Sequence, residues 1–136
     1  MLNMNRLMLL IIPLIALMAC AGPASRQTTL EQKLAEQNYR LGEPVERIQQ
    51  YRLDGWHYLD RQHVIMQAEP SRYYLVSLRS PCHNLMTAEV IAFTTTTNQL
   101  TRFDKLLVKN GGHILEQCYI EGLHKLEKVR KELAAR

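Results

Sequence analysis

The sequence has no G-x-S-x-G elbow, no P-loop, no H-E-x-x-H helix and no glycine fingerprint for a dinucleotide, so the standard enzyme signatures are absent. Three cysteines are present and none has a second cysteine at C-x-x-C distance, which speaks against a thioredoxin-like couple. Charge of one sign is not in large excess. Seventeen Lys and Arg face 13 Asp and Glu, a net +4 too small and too dispersed to point to nucleic acid. Internal repeats and long low-complexity segments are missing. The apolar run over residues 7–18 is shorter than the roughly 20 residues a bilayer-spanning helix needs. It also holds Pro13, which costs a helix interior about 3 kcal/mol. A permanent transmembrane helix is therefore not expected there.

What the run does have is position. Arg6 precedes it and small Ala19 follows it, the order of a cleavable export signal. Its ending, Leu17-Met18-Ala19-Cys20, resembles the bacterial lipobox. That resemblance implies that Cys20 receives a diacylglyceryl group and becomes the first mature residue. The alternative is an ordinary secretory peptide cut nearby, for instance after Ala24, with Cys20 discarded. Several acyl chains, at about 0.8 kcal/mol per buried methylene, would hold the chain firmly. Ala21 stands where, by family resemblance, an aspartate would favour the inner membrane. The expected location is thus the periplasmic face of the outer membrane, with an inner-membrane lipoprotein or a soluble periplasmic protein as alternatives.

Removing residues 1–19 takes away only Arg6 among the charged side chains, leaving 16 basic against 13 acidic, a net +3. The remainder suffices for one modest domain. In an oxidising compartment Cys82 and Cys118 are then the only cysteines besides Cys20, and they should pair. A bridge over that span stabilises by about 4 kcal/mol on the loop-entropy argument. The rival reading is a redox or metal role assisted by His83; no native metal site is expected.

Residues 21–27, with Gly22, Pro23 and Ser25, read as a tether. Thr28 and Glu31 are spaced as a capping box, and Leu30, Leu34 and Leu41 propose one short helix stopped by Gly42 and Pro44. Candidate strands follow at residues 46–53, 56–59, 63–67, 73–78, 89–94, 105–109 and 114–120. Turn chemistry separates them, at Asp54-Gly55, Asp60-Arg61-Gln62, Glu69-Pro70-Ser71, Ser80-Pro81 and Asn110-Gly111-Gly112. On the last strand Ile114, Cys118 and Ile120 should share an inward face. Leu123, Leu126, Val129 and Leu133 recur at helical spacing among Lys125, Lys128, Arg130 and Lys131, which proposes an amphipathic C-terminal helix.

The fold class expected is α+β, mainly β: a small antiparallel sheet or partly closed barrel with a short N-terminal helix and the C-terminal helix. The divisions are residues 1–19 as leader, 20–44 as tether and helix, 45–122 as the β-rich domain and 123–136 as the terminal helix.

Few residues propose chemistry. His57, His63, His83, His113 and His124 are scattered rather than set at ligand spacing, although His57 and His63 flank a predicted hairpin. Asp54, Asp60 and Asp104 would cluster only if three loops met; Asp54 and Asp60 are more simply turn formers. Trp56 is the natural core anchor, and Phe103 is expected to pack inward between Arg102 and Asp104. An aromatic-rimmed pocket built from His57, Tyr58, Asp60 and Asp104 is the candidate ligand surface. No catalytic residue and no cofactor is assigned.

The ordered set Asp54-Gly55-Trp56, Tyr58-Leu59-Asp60, Tyr74-Leu75-Val76, Leu78, Pro81-Cys82, Leu85, Phe93, Leu100-Thr101-Arg102-Phe103-Asp104 and Cys118-Tyr119-Ile120 resembles a family of small Gram-negative envelope proteins, often lipoproteins, known only as a domain of unknown function. The likeness runs from about residue 46 to 121, and the basic tail beyond lies outside it. It implies one compact domain, an export signal and the Cys82–Cys118 bridge, and it supplies no reaction. The expected role is a membrane-anchored, non-enzymatic binding or structural module with an envelope protein or polysaccharide as partner. The alternative is a small periplasmic hydrolase or ligand-binding protein using the Asp/His pocket. Oligomeric state is open.

Overall fold

A computed structural model describes residues 28–49 and 55–130. The leader, Cys20, Asp54 and Leu133 lie outside the described residues. Helix α1 (Leu30–Glu36) opens on a capping box one residue later than the spacing first suggested. Thr29, not Thr28, is the N-cap, and its partner at the third helical position is Gln32, which leaves Glu31 free to sit in the positive first turn. The helix also stops earlier than expected. Asn38 takes a left-handed conformation (φ 63°), a role asparagine fills readily after a helix, and the chain turns straight into β1 (Tyr39–Val45). Leu41, Gly42 and Pro44 are therefore strand residues. Pro44 is tolerated because β1 pairs only with β9, and Gly42 is required because a Cβ there would meet the Lys125 carbonyl oxygen at 2.9 Å.

The remaining strands are β2 (Arg47–Gln49), β3 (Gly55–Asp60), β4 (His63–Glu69), β5 (Arg72–Leu78), β6 (Val90–Phe93), β7 (Gln99–Thr101), β8 (Lys105–Asn110) and β9 (His113–Lys128), with one 3-10 turn at Leu85–Thr87. All pairings are antiparallel. The main sheet runs β3-β4-β5-β9-β8-β6, with β1 added to β9, and curls into a half-barrel; β2 and β7 form a separate ribbon. Among the described residues the fold is mainly β with one short helix.

The expected C-terminal helix is not formed where the chain is described. Leu123 and Leu126 belong to β9, whose sixteen residues pair first with β8 and then with β5 and β1. Residues three apart share a helix face but oppose each other on a strand. Here both strand faces are covered, so both leucines are buried. Leu123 joins the inner core with Val64, Met66, Val76, Leu78, Leu106 and Ile120, while Leu126 joins an outer cluster of Leu34, Tyr39, Ile65 and Leu75. Helix α1 caps that outer cluster through Leu34. Two-sided cover explains the unbroken apolar run Val64-Ile65-Met66 on β4.

Cys82 and Cys118 are bonded, with Cα atoms 5.9 Å apart, and join the loop after β5 to β9 within the inner core. Three packing expectations change. Phe103 is 79% exposed at the β7–β8 turn, because Thr101 and Asp104 close that turn beneath it. Ile114 is exposed because the β8–β9 register slips at Leu115. Trp56 only borders the inner core, and the largest fully buried side chains are aliphatic.

Candidate functional site

The residues first proposed as one pocket occupy separate settings. His57 and Tyr58 are neighbours on β3 and so face opposite sides, His57 exposed and Tyr58 against the inner core. Asp60, at the β3–β4 turn, accepts hydrogen bonds from Lys33 Nζ (2.7 Å), the Gln62 N–H (2.8 Å) and His63 Nδ1 (2.8 Å). Burial alone would raise its pKa; the bonds from Lys33, Gln62 and His63 outweigh it and hold the carboxyl below its ordinary range. Asp60 thus fastens α1 to the sheet. Asp104 accepts from the Thr101 N–H (2.8 Å) and hydroxyl (3.0 Å) and closes the β7–β8 turn.

A third carboxylate behaves alike. Glu116 on β9 accepts from the N–H groups of His83 (3.1 Å) and Asn84 (2.8 Å) and from the Asn84 side chain. Burial again works to raise its pKa, and these donors together with the nearby His83 pull it below the usual value. Its oxygen lies within 4.8 Å of both sulfurs, but the sulfurs are bonded to each other and so offer no thiolate. Nothing in the sequence marked Glu116. Only the β8–β9 register, which turns it toward the Cys82 loop, reveals its task.

The structure gathers a different group. A cleft of about 750 Å³ lies between the β1–β2 corner, the β7–β8 turn and the second half of β9. Arg47, Arg102, Phe103 and His124 line it, with Glu46 and Glu121 also present. The Arg102 guanidinium lies 5.0 Å from the Phe103 ring centre, and Arg47 donates to Gln99 Oε1 at 3.3 Å. His124 Nδ1 is buried without a hydrogen-bond partner. An exposed aromatic and two guanidiniums can hold a polar ligand with a flat apolar part. Phe103 and Arg102 are legible in the sequence as residues. Their convergence with His124 depends on the pairing of β1 with β9 and is not.

A curled antiparallel half-barrel backed by one helix, with its carboxylates bound into turns, is the class of protein these features define. The chain belongs to the family of unknown function DUF6491, whose profile matches residues 3–136. The match includes the basic tail that the motif likeness had left outside. No curated protein and no solved structure matches the chain.

Proposed function

We propose that the chain is a lipid-anchored protein of the bacterial envelope that binds a partner without transforming it, using the cleft at Phe103 as its contact surface. One observation carries the second half of this reading: Asp60, Asp104 and Glu116 each accept backbone N–H bonds that shape a turn or loop. A general acid at neutral pH needs a raised carboxyl pKa, and Asp60 and Glu116 are shifted the other way. The first half is supported by the leader ending in Leu17-Met18-Ala19-Cys20 and by a buried disulfide, which suits an oxidising compartment.

The test has two arms. Cys20→Ser should abolish the incorporation of labelled fatty acid into the protein; labelling equal to the parent's removes the anchor. A photocrosslinking residue at position 103 should give an adduct in intact cells while one at position 57 gives none. Equal crosslinking at both positions, or none, removes the cleft.

A further inference from the structure

Among the described residues part of the sheet's outer face has no cover. Helix α1 shields β4, β5 and the later part of β9, but no described element lies over β6, β8 and the first part of β9 on that side. The register Val90↔Lys109↔Ile114 puts apolar side chains from β6 and β9 on either side of Lys109, and the neighbouring rung on this face is Ala92↔Leu107↔Gln117. Tyr119, directly opposite Lys105, completes the row, with the Lys105 ammonium 4.9 Å from its ring centre.

Several large apolar side chains are exposed at one end of this face. Val90 is 55% exposed, Ile114 51%, Leu115 50% and Met86 70%. They are held together there by Asn110, which accepts from the Glu89 N–H (2.7 Å) and donates to the Thr87 carbonyl (3.0 Å), tying the 3-10 turn and β6 to the β8–β9 hairpin. The charge on the face is mainly basic. Among the described residues Arg79, Lys105 and Lys109 have no carboxylate partner within salt-bridge distance. The nearest acid at the apolar end, Glu89, is bound to the Gly111 N–H at 2.9 Å.

We propose that this face docks on an anionic phospholipid bilayer, with Ile114, Leu115, Val90 and Met86 entering the headgroup boundary and Lys105, Lys109 and Arg79 meeting lipid phosphates. The chemistry favours lipid over a folded partner. Half-exposed aliphatics at a hairpin tip supply insertion, while lysine stems can lie along the apolar face and keep their ammonium groups at phosphate level. The inference goes beyond the anchor and does not require Cys20 to be acylated, because it concerns which face meets the surface.

Acetylation footprinting of the full chain tests it. In vesicles of phosphatidylethanolamine and phosphatidylglycerol, Lys105 and Lys109 should be acetylated about fivefold more slowly than in neutral phosphatidylcholine vesicles, an effect that salt reverses. Lys125 and Lys128, on the later part of β9, should not change. The variant Ile114→Glu with Leu115→Glu, at two exposed positions, should abolish the protection while its circular dichroism stays that of the parent. Rates at Lys105 and Lys109 that are the same in both kinds of vesicle overturn the proposal. So does protection that grows with protein concentration without lipid, which marks a second copy, or protection found only in native envelopes, which marks a protein partner.

Discussion

The two ends of β9 obey different rules although they are one strand. Residues paired with β5 and β1 lie in a sheet covered on both faces, and Leu123 and Leu126 are buried on opposite sides. The earlier part of β9, which pairs with β8, lies in a sheet that among the described residues is covered on one face, where Cys118 is buried and Ile114, Leu115 and Tyr119 are exposed. Stability in the helix-backed half comes from aliphatic packing across two layers. In the open half it comes from one core layer, the disulfide and the Glu116 clasp. The first region is thus stabilised by packing on two sides, whereas the second relies on one core layer and a covalent bond and, among the described residues, keeps its outer face open for contact.

The largest effect should come from opening the disulfide. Replacing Cys82 and Cys118 by serine removes a 36-residue crosslink and should cost about 4 kcal/mol in chemical denaturation. Next, Leu34→Ala empties the fully buried contact between α1 and the sheet and should cost about 3 kcal/mol. If it costs less than about 1 kcal/mol, α1 is not a working layer and the two halves are alike.

A smaller effect separates the halves by pH. Asp60 and Glu116 have folded pKa values below their ordinary ones, so their stabilisation is complete above the ordinary carboxylate pKa of about 4 and is lost as pH falls through the folded values. Acid melting should therefore be less steep in Asp60→Asn, which lacks the helix-side contribution, and in Glu116→Gln, which lacks the loop-side one. At neutral pH each variant should lose about 1–2 kcal/mol by thermal denaturation. The smallest change belongs to the exposed residues: Phe103→Ala should shift stability by less than about 0.5 kcal/mol while reducing crosslinking of the cleft to its partner.

Legibility followed the same division. Turns written in local chemistry were readable: Asp60-Arg61-Gln62, Glu69-Pro70-Ser71 and Asn110-Gly111-Gly112 each connect the strands expected around them. The pairing of Cys82 with Cys118 was readable once the leader set Cys20 aside and implied an oxidising compartment. What escaped was set by distant partners. Leu123 and Leu126 look helical because a strand buried on both faces has no period-two alternation. Gly42 and Pro44 look like a stop, but β1 needs the first for its approach to Lys125 and tolerates the second as an edge. The proposed pocket failed for a related reason: His57 and Tyr58, one residue apart, cannot line the same side of β3. The cleft that replaces it joins residues 47, 102, 103 and 124, brought together by strand pairing rather than by spacing.

Anchoring and oxidation can be read together in one intact-mass measurement on native protein from the membrane fraction. The account predicts a chain beginning at Cys20, heavier by its acyl groups and lighter by two hydrogens for the Cys82–Cys118 bond. A soluble chain with Met1 retained and all three thiols free would contradict it.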